Sequence, residues 1–227
     1  MLHFLLVLTI FKKGSVMAKN TQQKFYRADF KTKFGVRYIT HNEIKDPRII
    51  NWNILTDKEY TINPGLNDRL EKKYGALIAQ GYYADMHVRW INKKVEYGAY
   101  ADQAIKKGDM VTEYTGIVEE DTPFDQDNLY LWDYPTIIYE KTPGKTRRKK
   151  IKFCVNAEKV GNFARFINHS LRKYQNVGIQ IVPHNNKWHV IYRARRDIKK
   201  GEQLLTYYGL EYWRDRKIVP EVIIPSL

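Results

Sequence analysis

The clearest periodic pattern in this chain is a stripe of apolar residues between positions 60 and 80. Its members recur at helical spacings, as Leu66, Leu70, Tyr74, Leu77 and Ile78. Such spacing places them on one face of an α-helix. Asn63 and Pro64 suit the start of this helix and Gly81 suits its end. Residues 17–85 therefore predict an N-terminal accessory region with a helical appendage, or equally a helix packed directly on the main domain.

From Met86 onward the pattern changes to short apolar runs separated by turn residues. Runs rich in β-branched and aromatic residues predict strands, here at 87–91, 97–101, 110–114, 177–182 and 187–194. Pro183-His184-Asn185-Asn186 lies between the last two runs and predicts a β-hairpin. A weaker strand signal covers Gly35 to Ile39. The fold class predicted is mainly β with short helices (α+β), its main domain spanning residues 86–209.

The first residues form a separate problem. Met1 to Phe11 is an apolar run followed by Lys12-Lys13, and it is too short to span a bilayer. A secretory signal has its positive charge before the apolar run, which is the reverse of this order. Residues 1–16 are therefore interpreted as an apolar leader or as a mis-assigned start, with Met17 as the true first residue.

Two segments carry polar and aromatic groups that suit a functional site. Gly161–Ser170 runs from an apolar Phe166-Ile167 pair directly into Asn168-His169-Ser170. Gly201–Gly209 ends in a run of aromatic residues. The first segment alone predicts a strand followed by a turn, so its interpretation depends on the second.

The charge of the chain changes the range of partners. Lys and Arg number 39 against 25 Asp and Glu, a net charge of +14. This balance favours nucleic acid, a nucleosome surface or an anionic membrane, although general solubility charge produces the same number. The basic run Lys145–Lys150 is interpreted as a nuclear-import signal, a phosphate-contacting loop or a solvated hairpin tip.

The cysteine and histidine content limits the chemistry. The single cysteine, Cys154, excludes a disulfide within the chain and a cysteine zinc cluster. Its apolar neighbours Phe153 and Val155 indicate a buried structural thiol rather than a nucleophile. The six histidines include no closely spaced metal-binding pair, so no metal is expected.

Several short motifs occur in an order that is known from one family. They are Tyr97-Gly98-Ala99-Tyr100-Ala101, Ile105-Lys106-Lys107-Gly108, Glu113-Tyr114-Thr115-Gly116, Gly161-Asn162, Arg165-Phe166-Ile167-Asn168-His169-Ser170, Gly201-Glu202 and Tyr208-Gly209. In this order the chain resembles the SET-domain protein-lysine methyltransferases over about residues 86–216. Each motif is weak by itself, and the ordered set is specific.

Further motifs narrow the resemblance. They are Trp90-Ile91-Asn92, Tyr134-Pro135 and Tyr212-Trp213 after Tyr208-Gly209. With them the chain is most similar to the small SET proteins of chlamydia-like intracellular bacteria, whose members look like secreted effectors that methylate host histones. The resemblance implies the host nucleus as location if the protein is secreted, and otherwise the cytoplasm of the producing cell.

The resemblance also implies a fold and a cofactor. The fold is the SET (β-clip) fold, in which the Asn-His stretch and the C-terminal tyrosine stretch cross in a knot-like way. The cofactor is S-adenosylmethionine, the methyl donor, which enters from one face while the substrate lysine enters from the other. No metal is implied, and residues 210–227 are expected to form a C-terminal post-SET-like segment without zinc.

The same resemblance implies catalytic residues. Tyr208 matches the catalytic tyrosine, whose hydroxyl would hold the amine in line with the methyl group. Tyr114 matches the tyrosine of the Tyr-x-Gly motif, which would line the substrate channel and orient the amine. Thr206 stands in the channel where a larger aromatic residue often limits the number of methyl groups added. A smaller Thr would leave room for more methyl groups unless another tyrosine fills the space.

Cofactor-binding residues follow in the same way. Asn168 and His169 match the cofactor-binding pair, and Tyr130 matches a cofactor-contacting tyrosine. Glu96, Tyr97 and Gly98 occupy the cofactor loop, where Glu96 replaces the first glycine of a Gly-x-Gly motif. Trp213 is expected either to cover the adenine or to pack a C-terminal helix.

The sequence as a whole predicts an S-adenosylmethionine-dependent protein-lysine N-methyltransferase. Its expected substrate is a histone or another basic protein, including a histone-like or ribosomal protein of its own organism. Nucleosomal DNA is expected to contact the basic loop 145–150, and no membrane partner is expected. The alternative is a non-catalytic SET-like module that binds chromatin or nucleic acid.

Overall fold

The computed structural model describes residues 23–122, 128–141 and 146–223. The leader 1–16, Met17 and Lys145 lie outside the described residues. The strands are β1 (Arg37–Tyr38), β2 (Glu43–Ile44), β3 (Met86–Asn92), β4 (Glu96–Ala101), β5 (Met110–Glu113), β6 (Ile117–Glu120), β7 (Leu131–Lys141), β8 (Arg148–Asn156), β9 (Val160–Gly161), β10 (Asn168–His169), β11 (Val177–His184), β12 (Lys187–Ala194) and β13 (Leu205–Thr206). The helices are α1 (Phe30–Phe34), α2 (Pro47–Ile50), α3 (Lys58–Thr61), α4 (Pro64–Ala79) and α5 (Leu210–Arg216), with 3₁₀ turns at Arg27–Asp29, Ile54–Thr56 and Phe163–Phe166.

The strands form several small sheets rather than one large sheet. The described sheets have the orders β2-β6-β8-β7, β11-β12-β5, β3-β4, β10-β13 and β1-β9. Neighbouring strands that follow one another in the chain pair antiparallel, whereas β10 and β13 pair parallel across a long connection. The predicted class, mainly β with short helices, is confirmed.

The β11–β12 hairpin is present, but its turn is shorter than predicted. Pro183 and His184 belong to the strand, and only Asn185 and Asn186 form the turn. Their φ angles are 49° and 58°. A two-residue turn with both φ angles positive matches the right-handed twist of the strands, and asparagine tolerates that conformation better than most residues.

Helix α4 begins and ends where the apolar stripe predicts. The side chain of Asn63 accepts a hydrogen bond from the backbone N–H of Leu66 at 3.1 Å, which caps the first turn. Tyr74 and Ile78 are buried against a strand cluster that consists of Met110, Val182 and Ile191. The helix therefore packs directly on the β11-β12-β5 sheet.

The polar region before α4 contains elements that the sequence pattern did not predict. Helices α1, α2 and α3 have five residues or fewer, so none is long enough to show a periodic apolar stripe. Phe30 of α1 is 1% exposed and packs edge-on against Phe163 and Phe166 at centroid distances of 5.0 and 5.8 Å. This N-terminal segment thus shares its core with the stretch that leads to Asn168.

The basic run lies at the end of the β7–β8 hairpin. Residues 146–150 are all exposed. Lys149 forms an ion pair with Glu120 at 3.0 Å, and the other cations of the run project into solvent. Cys154, further along β8, is buried as predicted. Within the described ranges, no helix is both long and apolar enough to cross a membrane.

Candidate active site

The site is organised by the parallel pairing of β10 with β13. Asn168 lies opposite Leu205 and His169 opposite Thr206. The side chain of Asn176 holds the second strand in place, because its amide donates to the Gln203 carbonyl and accepts from the Leu205 N–H, both at 2.8 Å. The polar Asn-His pair and the C-terminal tyrosines are thereby brought side by side.

A cavity of about 720 Å³ lies next to the pairing of β10 with β13. Its walls come from the β3–β4 turn, from the segment 165–169 and from the C-terminal residues 208–221. Seven of the residues predicted for the site line it, namely Glu96, Tyr97, Tyr130, Asn168, His169, Tyr208 and Trp213. Gly98, Tyr114 and Thr206 are not among the residues that line it. The volume is within the range of small-molecule sites.

Gly98 is required by a close approach of three side chains. A Cβ atom at this position would lie 2.6 Å from Ile91, 2.7 Å from Gln203 and 3.0 Å from the Asn168 amide nitrogen. Such distances are shorter than van der Waals contact. The absence of a side chain at Gly98 therefore lets Asn168 reach β4, where its amide donates to the Tyr97 carbonyl at 2.9 Å.

Glu96 adopts a backbone conformation that favours glycine. Its φ angle is 57°, and it pairs with Asn92 at a bulge in the β3–β4 hairpin. The Asn92 side chain accepts from the N–H groups of Lys94 and Val95 at 2.8 and 3.1 Å, which fixes the turn. Glu96, which stands in place of the first glycine of the motif, therefore has a left-handed backbone in the loop that borders the cavity.

We expect Glu96→Gly to stabilise the fold by about 0.5–1 kcal/mol. The left-handed conformation costs a non-glycine residue about 1–2 kcal/mol, and this gain is partly offset by the larger entropy of glycine in the unfolded chain. The free energy of unfolding in urea measures the change. Glu96→Ala is the matched control, since it removes the same side chain but retains the strain. A Gly variant less stable than the Ala variant would contradict the argument.

His169 is held as a neutral imidazole. Its Nδ1 accepts the backbone N–H of Tyr208 at 3.2 Å, so the ring proton resides on Nε2. Burial lowers the pKa of His169 below its usual value. The ring packs against Trp213 at a centroid distance of 5.0 Å. His169 thus links β10 to both the tyrosine segment and α5.

Tyr208 stands where the cavity meets a cluster of aromatic rings. Its hydroxyl donates to the backbone carbonyl of Ile167 at 2.8 Å. Its ring stacks on Trp213 with the planes 10° apart and the centroids 5.7 Å apart. Burial raises the pKa of Tyr208 well above its usual value, and the neighbouring tyrosines, Tyr192 first among them, raise it further. Tyr208 is therefore a neutral phenol whose proton is engaged.

Tyr114, which directly follows β5, has the same kind of hydrogen bond. Its hydroxyl donates to the Tyr130 carbonyl at 2.8 Å, and burial raises its pKa well above the usual value. A hydroxyl whose proton is donated still carries lone pairs that accept a hydrogen bond. Two tyrosines of this cluster can therefore both act as acceptors while remaining uncharged.

Residues that the sequence reasoning missed complete the aromatic cluster. Trp132 lies 6.0 Å from Tyr114, 6.4 Å from Tyr192 and 6.3 Å from Tyr208 between ring centroids. The Tyr192 hydroxyl forms no hydrogen bond with any described residue, although the side chain is only 1% exposed. Trp132 follows the predicted Tyr130 by two residues in the chain, so the motif around Tyr130 could have indicated it. Nothing in the sequence distinguishes Tyr192 from other strand tyrosines.

Arg165 belongs to the motif Arg165–Ser170, but the sequence analysis predicted no role for it. Its guanidinium lies 3.9 Å from the centre of the Tyr130 ring, and its Nε donates to the Ala157 carbonyl at 3.0 Å. Burial lowers its pKa below the usual value. Arg165 thus fixes Tyr130 at the cavity wall and places a cation beside it.

Thr206 and Trp213 both lie next to His169. Thr206 is 1% exposed and pairs with His169, so it is enclosed beside the crossing. Trp213 belongs to α5 and also lines the cavity. Its indole Nε1–H is buried with no partner among the described groups. In the described part of the chain, no cluster of three or more His, Cys, Asp or Glu residues is arranged to hold a metal.

The cavity is thus bordered by the Asn-His strand and by half-buried tyrosines, beside the parallel pairing of β10 with β13. The SET domain profile matches residues 96–209, half of the chain, and the chain belongs to this family. The family part of the sequence prediction and the SET fold are thereby confirmed.

Relatives with established names are similar at modest identity. The chain is 36% identical over 138 residues to N-lysine methyltransferase KMT5A-A of Danio rerio, which covers 59% of this chain and 38% of that protein. It is 28% identical over 160 residues to histone-lysine N-methyltransferase set-1 of Caenorhabditis elegans, covering 66% and 54% respectively. The chain thus spans about half or less of the length of these relatives.

A solved structure supports the fold over a longer stretch. The structure of ATXR5 in complex with histone H3.1 mono-methylated on R26 aligns with a TM-score of 0.56 and 20% identity, and the alignment covers 87% of this chain and 91% of that one. At this identity the likeness bears on the fold alone. It includes elements outside the profile match, which covers residues 96–209.

Proposed function

We propose that the protein is an S-adenosylmethionine-dependent protein-lysine N-methyltransferase. The observation that carries the proposal is the junction at Tyr208, where a ligand-sized cavity meets a packed cluster of aromatic rings. Two reactants of unlike chemistry have separate places there: a large polar one in the cavity and a side-chain amine among the rings. Membership in the SET-domain family supports the same reaction class.

The lining of the cavity fits S-adenosylmethionine. The Cβ-free position at Gly98 gives the backbone of β4 a close approach to Asn168, and the unpartnered Nε1–H of Trp213 is a buried donor available to a ring nitrogen. Asn168, His169 and the backbone of residues 96–98 would hold the cofactor, with Tyr130 and Trp213 covering it. The bound cofactor would supply an electrophilic methyl group, and transfer of that group leaves a neutral thioether.

The aromatic cluster would prepare the substrate amine. A lysine has an ordinary pKa of about 10.4, so it must lose a proton before it can attack a methyl carbon. A dry site disfavours the ammonium form. The oxygens of Tyr208 and Tyr114, whose protons are donated to backbone carbonyls, accept the N–H groups of a neutral amine and direct its lone pair toward the cavity. Alignment of two bound reactants supplies most of the rate enhancement.

We expect Tyr192 to limit how many methyl groups are added. Its side chain is 1% exposed and packs against the rings of Tyr114 and Trp132, whereas Thr206 is too small to fill the end of the substrate channel. Tyr192→Phe removes an acceptor for an amine N–H and frees the volume of one oxygen atom. We therefore expect the di- and trimethylated fractions to rise about threefold or more. Mass spectrometry of a substrate peptide over time measures the fractions, with the exposed Tyr139→Phe as control. An unchanged distribution would assign this limit to another residue.

The proposed substrate is a histone or another basic protein, held near DNA. A net charge of +14 repels a free basic tail, whereas nucleosomal DNA attracts it. The exposed residues 146–150 at the end of the β7–β8 hairpin offer a DNA contact. We also propose that the protein is one of the effectors of chlamydia-like bacteria and acts in the host nucleus, on the basis of the shared sequence motifs.

Transfer of radiolabelled methyl groups to free core histones and to nucleosomes, at several salt concentrations, tests the proposal. We expect labelling of a histone, with nucleosome labelling falling steeply as salt rises because DNA contacts release counterions. Equal salt sensitivity for both substrates would contradict DNA docking. No labelling together with no binding of S-adenosylmethionine by calorimetry would favour a non-catalytic chromatin-binding module.

A further inference from the structure

One surface away from the cavity is built from two copies of the same tetrapeptide. Ile-Lys-Lys-Gly occurs at 105–108 and again at 198–201, followed by Asp109 and Glu202 respectively. The two isoleucines exchange both backbone hydrogen bonds with each other, at 2.9 Å each. Both glycines have left-handed φ angles, 87° and 88°. We name residues 105–109 and 198–202 the lysine-turn pair.

This pairing concentrates four lysines on one edge of the molecule. Lys106, Lys107, Lys199 and Lys200 are all exposed. Arg195 is exposed beside them, and the Lys73 ammonium reaches the same edge by donating to the Gly108 carbonyl at 3.0 Å. Because both turns are closed by backbone hydrogen bonds, the fold fixes the positions of the lysine backbones on this edge.

Two of the nearby carboxylates, Asp197 and Glu202, hold the turns together, whereas Asp109 is exposed. Asp197 accepts the backbone N–H of Lys107 at 2.8 Å and lies 3.8 Å from the Lys106 ammonium. Glu202 accepts the Lys199 N–H at 2.6 Å and pairs with Arg196 at 2.7 Å. No carboxylate of the described residues forms an ion pair with the remaining cations on this edge, which are Lys107, Lys199, Lys200 and Arg195.

We propose that the lysine-turn pair binds the phosphate backbone of duplex DNA. Unpaired ammonium groups carried by two fixed turns can reach successive phosphates, and each phosphate that they neutralise releases counterions. Both turns are described in full, and neither has an exposed large hydrophobic side chain. Single-strand binding uses exposed aromatic rings for stacking, and membrane binding uses exposed apolar anchors. The chemistry of this edge favours duplex DNA over both.

The position of the pair separates this activity from the cavity. Ala101, at the end of β4, bonds to Gly201 and Glu202 through its backbone, whereas Glu96 at the start of β4 borders the cavity. At a rise of about 3.3 Å per residue the two ends lie about 17 Å apart. DNA on the lysine-turn pair would leave the cavity open. The proposal does not depend on methyl transfer.

A triple variant with a matched control tests this surface. Lys107→Gln/Lys199→Gln/Lys200→Gln removes three cations of the pair, and Lys31→Gln/Lys45→Gln/Lys58→Gln removes three exposed lysines elsewhere. Fluorescence anisotropy with a labelled duplex, across a salt series, gives the affinity and its salt slope. We expect the first variant to bind about tenfold or more weakly and to lose up to about three from the slope magnitude, and the control to lose about twofold or less.

Three results would overturn the proposal. They are no duplex binding by the unaltered chain, equal losses in the two triple variants, and binding to phosphatidylserine vesicles that exceeds binding to DNA and is lost in the first variant. Thermal unfolding of both triple variants verifies that the fold is retained. Since Lys107, Lys199 and Lys200 lie outside the cavity lining, we expect S-adenosylmethionine affinity by calorimetry to be unchanged in the first variant.

Discussion

Tyr208→Phe is expected to lower turnover about a hundredfold or more, the magnitude found when a positioned hydrogen-bonding group is removed from an active site. The substitution keeps the ring that stacks on Trp213 with a centroid separation of 5.7 Å. It removes the hydroxyl that donates to the Ile167 carbonyl, and with it the lone pair that would hold the amine. Loss of the donor to the Ile167 carbonyl should cost about 1–3 kcal/mol of stability. The ring packing that closes the cavity should remain, while the amine loses its alignment.

Steady-state kinetics together with calorimetry distinguish this expectation from general damage. S-adenosylmethionine affinity should change by about threefold or less, since the phenylalanine ring still closes the cavity. Tyr139→Phe is the matched control. Tyr139 belongs to β7, is 56% exposed and lies far along the strand from Trp132 of the aromatic cluster. If Tyr208→Phe retains more than about a tenth of the turnover, its hydroxyl does not align the amine and the proposed role of Tyr208 is wrong.

Asn168→Ala is expected to act on the other reactant. The Asn168 amide joins β10 to β4 through its 2.9 Å hydrogen bond to the Tyr97 carbonyl, so its loss separates two walls of the cavity and leaves a half-buried carbonyl without its donor. An unsatisfied group of this kind costs about 1–3 kcal/mol. We expect S-adenosylmethionine to bind about 10- to 100-fold more weakly, since each factor of ten corresponds to about 1.4 kcal/mol.

The two substitutions should therefore affect different kinetic constants. For Asn168→Ala the Michaelis constant for S-adenosylmethionine should rise, and turnover at saturating cofactor should fall much less. Asn51→Ala, at an exposed position after α2, is the control. An Asn168 variant with unchanged cofactor affinity but lost turnover would move Asn168 from the cofactor side of the site to the substrate side.

Most of the residues predicted for the site line one cavity, and the family motifs that indicated them lie on short, regular segments. Glu96, Asn168 and Tyr208 are distant along the chain, and only the motif order indicated that they share a cavity. The strand pattern could not supply Tyr192, because its contacts depend on how β12 crosses β7. It also could not supply the conformation of Glu96, since a left-handed φ angle at a bulge depends on the register of β3 and β4.

The N-terminal half shows another limit of the pattern. Helix α4 was predicted because its stripe spans several turns, but α1 was not, since five residues cannot display a period. Phe30 nevertheless packs against Phe163 and Phe166 under the crossing segment. Its tertiary contacts, rather than any local signal, give this part of the chain its structure.

The location of the transferred methyl group tests the central claim most directly. S-adenosylmethionine with a deuterated methyl group, incubated with nucleosomes and either the unaltered chain or Tyr208→Phe, is followed by mass spectrometry of histone peptides. We predict deuterated methyl on a lysine Nε with the unaltered chain and a strong reduction of it with the variant. Deuterium on no lysine of any histone, despite cofactor binding, or equal labelling by both proteins, would contradict the proposed activity or its mechanism.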